Sequence, residues 1–244
     1  MQQGLFTVTE NTPLTDSVYR MRLKGDTSAV AAPGQFVNLR LESRFLRRPI
    51  SVCDVQGDTL TLIYKVVGAG TGDMASLPAG QRLDVLTGLG NGYDLSLSGD
   101  HPLLVGGGVG IPPLFWLARL LLNEGKQVTA VLGFPSAKEI FLEREFRDLG
   151  AEVAVTTEDG SYGIKGFVTD ALPPEYSFFY ACGPRPMLRA VSMAARTDGQ
   201  LSMEERMGCG FGACMGCSRK TVSGTIRICR EGPVLRKGEI LWAD

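Results

Sequence analysis

Hydrophobic and polar residues alternate in short runs between residues 4 and 97, and Gly, Pro and Asp residues separate the runs. Alternation with a period of two residues is typical of strands that bury one face. The runs that fit this pattern are residues 5–8, 18–23, 35–41, 50–55, 59–67 and 82–86. We therefore predict a small antiparallel barrel or sandwich, an architecture that many unrelated all-β modules share.

After residue 99 the pattern changes to apolar strands that alternate with helices. Strands are predicted at residues 102–105, 127–133, 153–156 and 178–181, and helical segments at 113–123, 139–149 and 167–171. This alternation predicts a parallel sheet covered by helices on both faces. The apolar stretch 102–122 resembles a membrane span, but Gly and Pro residues interrupt it and it contains Arg119, which favours a strand, a glycine loop and a helix.

From residue 203 onward the chain is rich in Cys and Gly and then has two strand-like runs, 220–229 and 239–242. A segment of this size is too small to fold on a hydrophobic core alone, and a metal site would stabilise it. The predicted fold class is multi-domain α+β. It comprises an N-terminal antiparallel β-barrel (residues 1–98), a central α/β nucleotide-binding domain with a parallel sheet (99–202) and a small C-terminal cysteine-rich domain (203–244).

The charge balance narrows the possible partners. With 25 Lys and Arg against 26 Asp and Glu, the chain offers no basic field for nucleic acid or for an anionic membrane. Residues 1–10 lack the basic start and apolar run of an export signal, which predicts a cytoplasmic protein. In that reducing compartment, six cysteines indicate a metal site better than a set of disulfides. The single histidine, His101, precedes a predicted strand and is interpreted as a surface turn residue.

Four of the six cysteines form the most specific motif in the chain. Cys209, Cys214 and Cys217 have the C-x4-C-x2-C spacing of plant-type 2Fe-2S ligation, and Cys229 is a fourth candidate ligand downstream. The glycines around them allow a tight loop to surround an inorganic core. The alternatives are a structural zinc site or reduced core cysteines, although zinc ribbons usually pair two C-x2-C knuckles and this segment has one.

A second candidate site follows the first strand of the α/β region. Residues 106–113, Gly-Gly-Gly-Val-Gly-Ile-Pro-Pro, lie between a predicted strand and a predicted helix. Gly107, Gly108 and Gly110 could present backbone N–H groups and a helix N-terminus to a dinucleotide. The alternative is a tight strand-to-helix connection that binds nothing.

This glycine loop is similar to the G-G-x-G-x-x-P loop of the ferredoxin-reductase superfamily. Cys182 and Gly183, followed by Pro184, also resemble a motif of that superfamily, which implies that Cys182 lies beside the nicotinamide and has a catalytic role. On the residues alone, Cys182 could equally be a small buried side chain. Residues 134–138 contain no arginine pair for a 2′-phosphate, which favours NAD over NADP, while Lys138 leaves NADP open.

The same superfamily carries an R-x-Y-S flavin motif, which Arg48, Pro49, Ile50 and Ser51 resemble. The residues that follow at the usual distance of that superfamily are Ile63, Tyr64, Lys65, Gly70 and Thr71. The resemblance implies FAD, with Arg48 at the pyrophosphate and a glycine turn close to phosphate. Ile50 stands where the motif has an aromatic residue, so aliphatic packing or the Tyr64 ring would replace the stacking. Without the glycine turn, Arg48 would be interpreted as a solvated cation.

A barrel, a nucleotide domain and a cysteine cluster, in that order over almost the whole chain, resemble the electron-transfer subunits of type B dihydroorotate dehydrogenase. Residues 205–217 are similar to the family pattern E-x-M-x-C-G-x-G-x-C-x-G-C, and residues 159–163 and 166–168 also look like that family. The resemblance implies FAD on the barrel, NAD as the substrate of the central domain and a 2Fe-2S cluster in the C-terminal domain. It also implies a partner, an FMN-containing dihydroorotate dehydrogenase catalytic subunit, in a heterotetramer with two copies of each.

In the implied direction, electrons leave dihydroorotate at the partner's flavin, cross the cluster singly, collect on FAD and leave as hydride to NAD, a step of pyrimidine biosynthesis. The chain is not expected to oxidise dihydroorotate alone, because two cofactor domains leave no room for a catalytic barrel of about 250 residues. Two alternatives stay open. One is a similar reductase subunit that serves sulfide dehydrogenase or a ferredoxin-linked transhydrogenase, and the other is a non-enzymatic metal-binding module.

Overall fold

The computed structural model describes residues 1–242. The N-terminal part of the chain forms a closed antiparallel barrel. Its six strands are β1 (Gln2–Pro13), β2 (Val18–Lys24), β3 (Phe36–Leu39), β4 (Arg48–Gln56), β5 (Thr59–Lys65) and β6 (Arg82–Leu89). They pair in the order β1-β2-β5-β4-β3-β6, and β6 pairs with β1 to close the barrel. The predicted barrel is confirmed, because the alternating apolar positions of these strands meet in one core. A short helix, α1 (Ala69–Ala75), follows β5.

The central region is a parallel sheet flanked by helices, as predicted. Its elements are β7 (Pro102–Gly107), α2 (Pro112–Asn123), β8 (Thr129–Phe134), α3 (Glu143–Asp148), β9 (Glu152–Thr157), β10 (Ile164–Lys165), β11 (Phe178–Cys182), α4 (Arg185–Ala194) and β12 (Gly199–Ser202). The strands lie in the order β10-β9-β8-β7-β11-β12, and every pair among them is parallel. Single 3-10 turns at Leu95–Leu97, Gly108–Gly110, Ala137–Glu139 and Val168–Ala171 connect these elements.

Two parts of the central region differ from the sequence prediction. The helix predicted at residues 139–149 is only the short α3, because Leu142 has a left-handed backbone (φ 64°) and buries its side chain beside Phe141. Packing into the core thus decides where this helix begins. The chain after β11, for which no element was predicted, forms α4 and β12. Leu188 and Val191 give α4 a buried face, whereas β12 carries too few β-branched residues to indicate a strand.

The C-terminal segment forms a hairpin and then joins the central sheet. The hairpin strands β13 (Ser218–Thr221) and β14 (Gly224–Arg227) lie where one strand-like run was predicted. β15 (Val234–Arg236) pairs antiparallel with β12 and extends the sheet to seven strands. The run predicted at 239–242 is not a strand, since Lys237–Glu239 is a 3-10 turn and Ile240 makes one isolated bridge. Because Cys217, Ile228 and Cys229 share a core with β7, β11 and β12, this segment does not depend on a core of its own.

A helix of the central region holds the barrel in place. Arg119 on α2 donates from Nη2 to Asp54 Oδ1 at 2.5 Å and to the Val55 carbonyl at 3.0 Å, both on β4. Arg20 on β2 bonds Glu145 on α3 at 2.8 Å. Asp54 is 4% exposed, so its carboxylate depends on the Arg119 cation. The Arg119–Asp54 pair therefore holds β4 against the central region.

No helix within residues 1–242 combines the length and the apolar character that crossing a bilayer requires.

Candidate cofactor sites

The residues that resemble the flavin motif lie along the start of β4, at one rim of the barrel. Arg48, Pro49, Ile50 and Ser51 are all half-buried. Gly70, predicted to lie in a glycine turn, is instead inside α1, and a Cβ at that position would overlap Arg48 Nε. The structure therefore brings Arg48 directly against the start of α1. A guanidinium beside a glycine-rich turn suits a phosphate-bearing ligand. The guanidinium can bind the phosphate, and glycine has no side chain that would keep the phosphate away from the backbone.

The residues on β5 divide between two environments. Tyr64 is 2% exposed, donates its hydroxyl to Asn11 Oδ1 at 2.9 Å and stacks on Tyr19, so its ring is inside the barrel. Burial also raises the pKa of Tyr64 above its ordinary value. The ring is thus unavailable for the flavin stacking considered from the sequence, which leaves aliphatic packing by Ile50. Lys65 points the other way and bonds Glu139 in the central region at 2.9 Å.

Ile63 and Thr71 complete the predicted flavin set. Ile63 is 4% exposed and packs in the core between the barrel and the central region. Thr71 lies in the first turn of α1, where its Oγ1 accepts from the Val67 and Gly68 N–H groups at 2.9 and 3.2 Å. These bonds shape the turn that approaches Arg48.

The nucleotide candidates meet where the strand order of the parallel sheet reverses. β7 lies between β8, which follows it, and β11, which comes much later, so the crevice beyond the ends of β7 and β11 is the switch point where such sheets bind ligands. A Cβ on Gly110 would overlap the Cys182 carbonyl, and one on Gly107 would lie 2.5 Å from Met187 Sδ. A Cβ on Gly183 would lie 2.6 Å from Met187 Cε. The two predicted motifs are therefore in direct contact.

Gly108 differs from its neighbours in this loop. Its φ is +51°, and a Cβ there would meet nothing within 4 Å. Its backbone is thus the part of the loop that stays open to a ligand. The helix α2 begins just after it, with prolines at its first positions, so the loop leads into a helix N-terminus as the sequence predicted.

Cys182 ends β11 as a half-buried thiol. Burial raises the pKa of Cys182 to about 12, although hydrogen bonds with Ser202 and Tyr93 act in the other direction. The group is therefore a neutral thiol near neutral pH, able to position a ligand but not to act as a thiolate. The Tyr93 hydroxyl donates to the neighbouring Ala181 carbonyl at 3.1 Å. Sequence reasoning missed Tyr93, because it precedes the sheet by several residues and carries no motif.

The four predicted metal ligands form two pairs. The N–H groups of Cys209 and Cys214 each donate to the sulfur of the other, at 3.5 and 3.4 Å. The Cys229 N–H donates to Cys217 Sγ at 3.4 Å. Because each iron of a 2Fe-2S core takes two protein ligands, two cysteine pairs fit that core. Within residues 1–242 no three His, Cys, Asp or Glu side chains are placed so that they could hold one metal ion together.

Cys209 and Cys229, one from each pair, have opposite electrostatic surroundings. At Cys209, burial raises the pKa, but the N–H groups of Cys214, Phe211 and Ala213 outweigh it and lower the pKa to about 6. At Cys229, burial and the neighbouring Cys217 raise the pKa to about 12. N–H groups that point at sulfur stabilise negative charge there, which a thiolate-bound cluster requires.

One side chain joins the cysteine loop to the barrel. Asn38 on β3 donates from Nδ2 to the Cys209 carbonyl at 3.0 Å. β3 is hydrogen-bonded to β4, and Asn38 lies directly opposite Pro49 of the flavin motif. The cysteine loop is thus linked to the flavin strand through the Asn38 side chain and one strand pairing. No local pattern indicates a role for Asn38, because 171 positions separate it from Cys209.

Comparison with family models and with known proteins agrees with this geometry. Residues 204–241 match the iron–sulfur cluster binding domain of dihydroorotate dehydrogenase B, and residues 104–193 match the oxidoreductase NAD-binding domain. The dihydroorotate dehydrogenase B (NAD(+)) electron transfer subunit of Geobacillus sp. (strain WCH70) is 41% identical, with 99% of each chain covered. The subunit of the same name from Fusobacterium nucleatum is 42% identical, with 96% of each covered.

Solved structures give the same picture. An NADH-dependent reduced ferredoxin-NADP oxidoreductase, studied for flavin-based electron bifurcation, has a TM-score of 0.89 at 29% identity and covers 98% of this chain and 90% of that one. A ferredoxin NADP+ reductase from Neisseria gonorrhoeae, with bound FAD and NADP, has a TM-score of 0.69 at 16% identity and covers 80% of this chain and 90% of that one. The second likeness concerns the fold alone.

These matches bear out the predicted cofactor set of 2Fe-2S, FAD and NAD and exclude the non-enzymatic metal-binding module. The name electron transfer subunit implies that a separate catalytic subunit exists in these relatives. The chain is an oxidoreductase component, and it belongs to the family of dihydroorotate dehydrogenase B electron transfer subunits.

Proposed function

We propose that this chain transfers electrons between a separate, dihydroorotate-oxidising subunit and NAD, in pyrimidine biosynthesis. The observation that carries the proposal is the contact of Asn38 with Cys209, because it links the cysteine loop to a strand that is bonded to the flavin motif. Adjacent strands lie about 4.8 Å apart. Only one strand pairing and the Asn38 side chain lie between Cys209 and the flavin motif, which supports electron exchange without a mobile carrier.

The barrel rim would hold FAD. Arg48 and the first turn of α1, with Gly70 and Thr71, would bind its pyrophosphate, because a guanidinium and open backbone face the same point. Pro49, Ile50 and Ser51 on β4 would line the ring system. Ile63, Tyr64 and Lys65 on β5 would contribute backbone and packing, since the Tyr64 ring is buried.

The sheet edge would hold NAD, and the cysteine loop would hold the cluster. Gly107, Gly108 and Gly110 would receive the pyrophosphate of the dinucleotide, and Cys182 and Gly183 would lie at its nicotinamide. The cluster would be bound by Cys209, Cys214, Cys217 and Cys229. When bound, nicotinamide supplies hydride exchange, the cluster supplies one-electron exchange, and flavin can do both.

The exposure of the cysteine loop supports a partner at this face. Cys214 is exposed, and the side chains of Phe211 and Met215 are 43% and 54% exposed beside it, whereas Cys217 is 2% exposed. An accessible ligand with apolar neighbours suits a docking surface through which electrons enter. We propose an FMN-containing catalytic subunit as the partner, in a heterotetramer with two copies of each, located in the cytoplasm. The domain limits 1–98, 99–202 and 203–244 remain part of this proposal.

The proposal is tested with the visible spectrum of anaerobically purified protein, recorded before and after NADH is added. Flavin and cluster bands should both be present and should both bleach. A colourless protein, or coloured protein that NADH leaves unchanged, would contradict the assignment. The purified chain alone should leave dihydroorotate unoxidised, and the same chain mixed with the catalytic subunit should reduce NAD. Oxidation of dihydroorotate by the isolated chain would remove the need for a partner.

A reductase that serves ferredoxin is the second candidate, and its support is the 29% identical NADH-dependent reduced ferredoxin-NADP oxidoreductase. The relatives at 41% and 42% identity favour the first candidate. The two are separated by supplying either reduced ferredoxin or the dihydroorotate-oxidising subunit as the electron donor. Faster NAD reduction with ferredoxin would reverse the preference.

A further inference from the structure

Asn38 occupies the junction between the cysteine loop and the flavin strand, and it is 1% exposed. Its side chain shares a face of the β3–β4 pair with Pro49, because directly opposite residues of antiparallel strands point the same way. Its own carbonyl accepts from Arg47 Nη1 at 3.2 Å. The pairing with β4 and the bond from Arg47 thus both hold the backbone at Asn38.

The cysteine loop is closed onto this side chain. Gly210 has φ +78°, and a Cβ there would overlap Asn38 Nδ2. The loop therefore reaches Asn38 only because residue 210 is glycine. The Nδ2 atom donates to the carbonyl of Cys209, the ligand whose sulfur receives N–H groups from Ala213 and Cys214.

The other end of the Asn38 amide has no partner. Oδ1 is buried and accepts no hydrogen bond from residues 1–242. Asn91, which follows β6 and contacts the same C-terminal segment, gives a contrast. Its Nδ2 donates to the Val234 carbonyl at 2.7 Å and its Oδ1 accepts from the Val234 N–H at 2.9 Å. Asn91 is satisfied at both ends, as a structural clamp is. A buried amide with one free acceptor is costly unless a ligand supplies the donor.

We propose that Asn38 is a positioning residue for electron exchange between the two cofactor sites. Its Nδ2 holds the cluster loop at Cys209, and its Oδ1 is the acceptor for an N–H group of the flavin on the adjacent strand. This inference rests on the proposed function, since it assumes that FAD and the cluster both occupy the chain. Asn38 would thereby set the distance and the relative orientation between the flavin and the cluster.

The test uses the holoprotein with both cofactors, in three variants. Asn38→Leu removes both ends of the amide at nearly constant volume, and Asn38→Asp keeps an acceptor but loses the donor to Cys209. Asn91→Asp is the matched control, because it removes the equivalent bond from a side-chain amide to a backbone carbonyl of the C-terminal segment, that of Val234. After anaerobic mixing with NADH, flavin bleaching and cluster bleaching are followed separately, and the EPR signal of the reduced cluster is recorded.

Flavin bleaching should stay within about twofold of wild type in every variant, because the nucleotide site is untouched. Cluster bleaching should slow about tenfold or more in Asn38→Leu and Asn38→Asp, since a displacement of about 1 Å in a positioned site can cost about a hundredfold. The flavin band should shift in Asn38→Leu and keep its wild-type position in Asn38→Asp. Asn91→Asp should change neither rate.

Wild-type cluster bleaching in both Asn38 variants would overturn the inference, and so would equal slowing in the Asn91 control. Failure of the proposed function gives a different result, because the wild-type protein itself would then show no bleaching of flavin or cluster by NADH.

Discussion

The two glycine-rich loops of this molecule, residues 106–110 and 208–216, are shaped by different forces. In the first, the surrounding chain leaves no space for a side chain at Gly106, Gly107 or Gly110, and a Cβ on Gly110 would overlap the Cys182 carbonyl. In the second, a Cβ on Gly210 would likewise overlap Asn38 Nδ2, but the loop also folds around its own sulfur atoms, and the Ala213 N–H donates to Cys209 Sγ at 3.2 Å. The nucleotide loop therefore has its form before a ligand arrives, whereas the cysteine loop depends on its thiols and on what they bind.

The difference extends to the thiols themselves. Cys182, beside the first loop, has a pKa raised to about 12 by burial, and Cys209, in the second, has a pKa lowered to about 6, chiefly by N–H donors that outweigh burial. The two cysteines therefore differ in their protonation state near neutral pH. One stays a neutral, shape-giving group, and the other is ready to become an anionic ligand.

The largest effect should come from removing a buried member of the cysteine set. Cys217→Ser should abolish the cluster band, because Cys217 is 2% exposed and the Cys229 N–H donates to its sulfur. Flavin reduction by NADH should persist, since the glycines of the nucleotide loop pack against residues 111, 114, 182–184 and 187 and not against Cys217. The measurement is iron and sulfide content together with NADH-dependent flavin bleaching. Simultaneous loss of flavin reduction would show that the two loops are not independent.

The rates at which an alkylating reagent modifies Cys209 and Cys182 should differ by orders of magnitude. In cluster-free protein at pH 7, iodoacetamide should modify Cys209 and spare Cys182, because only the thiolate reacts. The lowered pKa keeps Cys209 ionised above about pH 6, so its labelling should be full at pH 8 and fall as the pH drops through 6. Peptide mapping by mass spectrometry measures both sites in one sample. Comparable labelling of the two at pH 7 would contradict the contrast.

The smallest effect should come from adding one methyl group to the nucleotide loop. Gly110→Ala should weaken NADH binding about tenfold, since overpacking costs roughly 1–3 kcal/mol and 1.4 kcal/mol corresponds to tenfold. The reason is the overlap with the Cys182 carbonyl. Gly238→Ala is the control for an added methyl group, because a Cβ there meets nothing within 4 Å, its φ is not positive and it lies outside the nucleotide loop. NADH titration of the flavin spectrum gives both affinities, and an unchanged affinity in Gly110→Ala would count against the packed loop.

Much of the fold could be predicted from local pattern. The barrel strands alternate with period two, and β7, α2 and β8 are long apolar elements separated by glycine and proline. The errors arise where distant packing decides, as at Leu142, whose burial and left-handed backbone prevent the predicted helix from starting earlier. The pairing of β15 with β12 joins segments that share no sequence signal.

In the candidate sites, too, the features that depend on local sequence could be predicted, and those that depend on distant contacts could not. Their motifs were recognisable because cysteine spacing and glycine loops reflect local chemical needs, and the structure brings Arg48 to Gly70 and Gly110 to Cys182. The residues that connect the sites were not recognisable. Asn38 and Tyr93 contact residues far away in sequence, including Cys209 and Ala181, and such contacts leave no periodicity or spacing to detect.

The antiparallel strand β15 also bears on how the protein is made. It covers the side of β12 that would otherwise be an open sheet edge, and it is translated after every other strand described. A nascent chain that has not yet emerged through residue 236 therefore exposes unpaired backbone on β12, the kind of edge at which chains associate wrongly. Closure of the sheet must follow synthesis of the cysteine loop, so cluster insertion and protection of the edge are late, neighbouring events in the maturation of this protein.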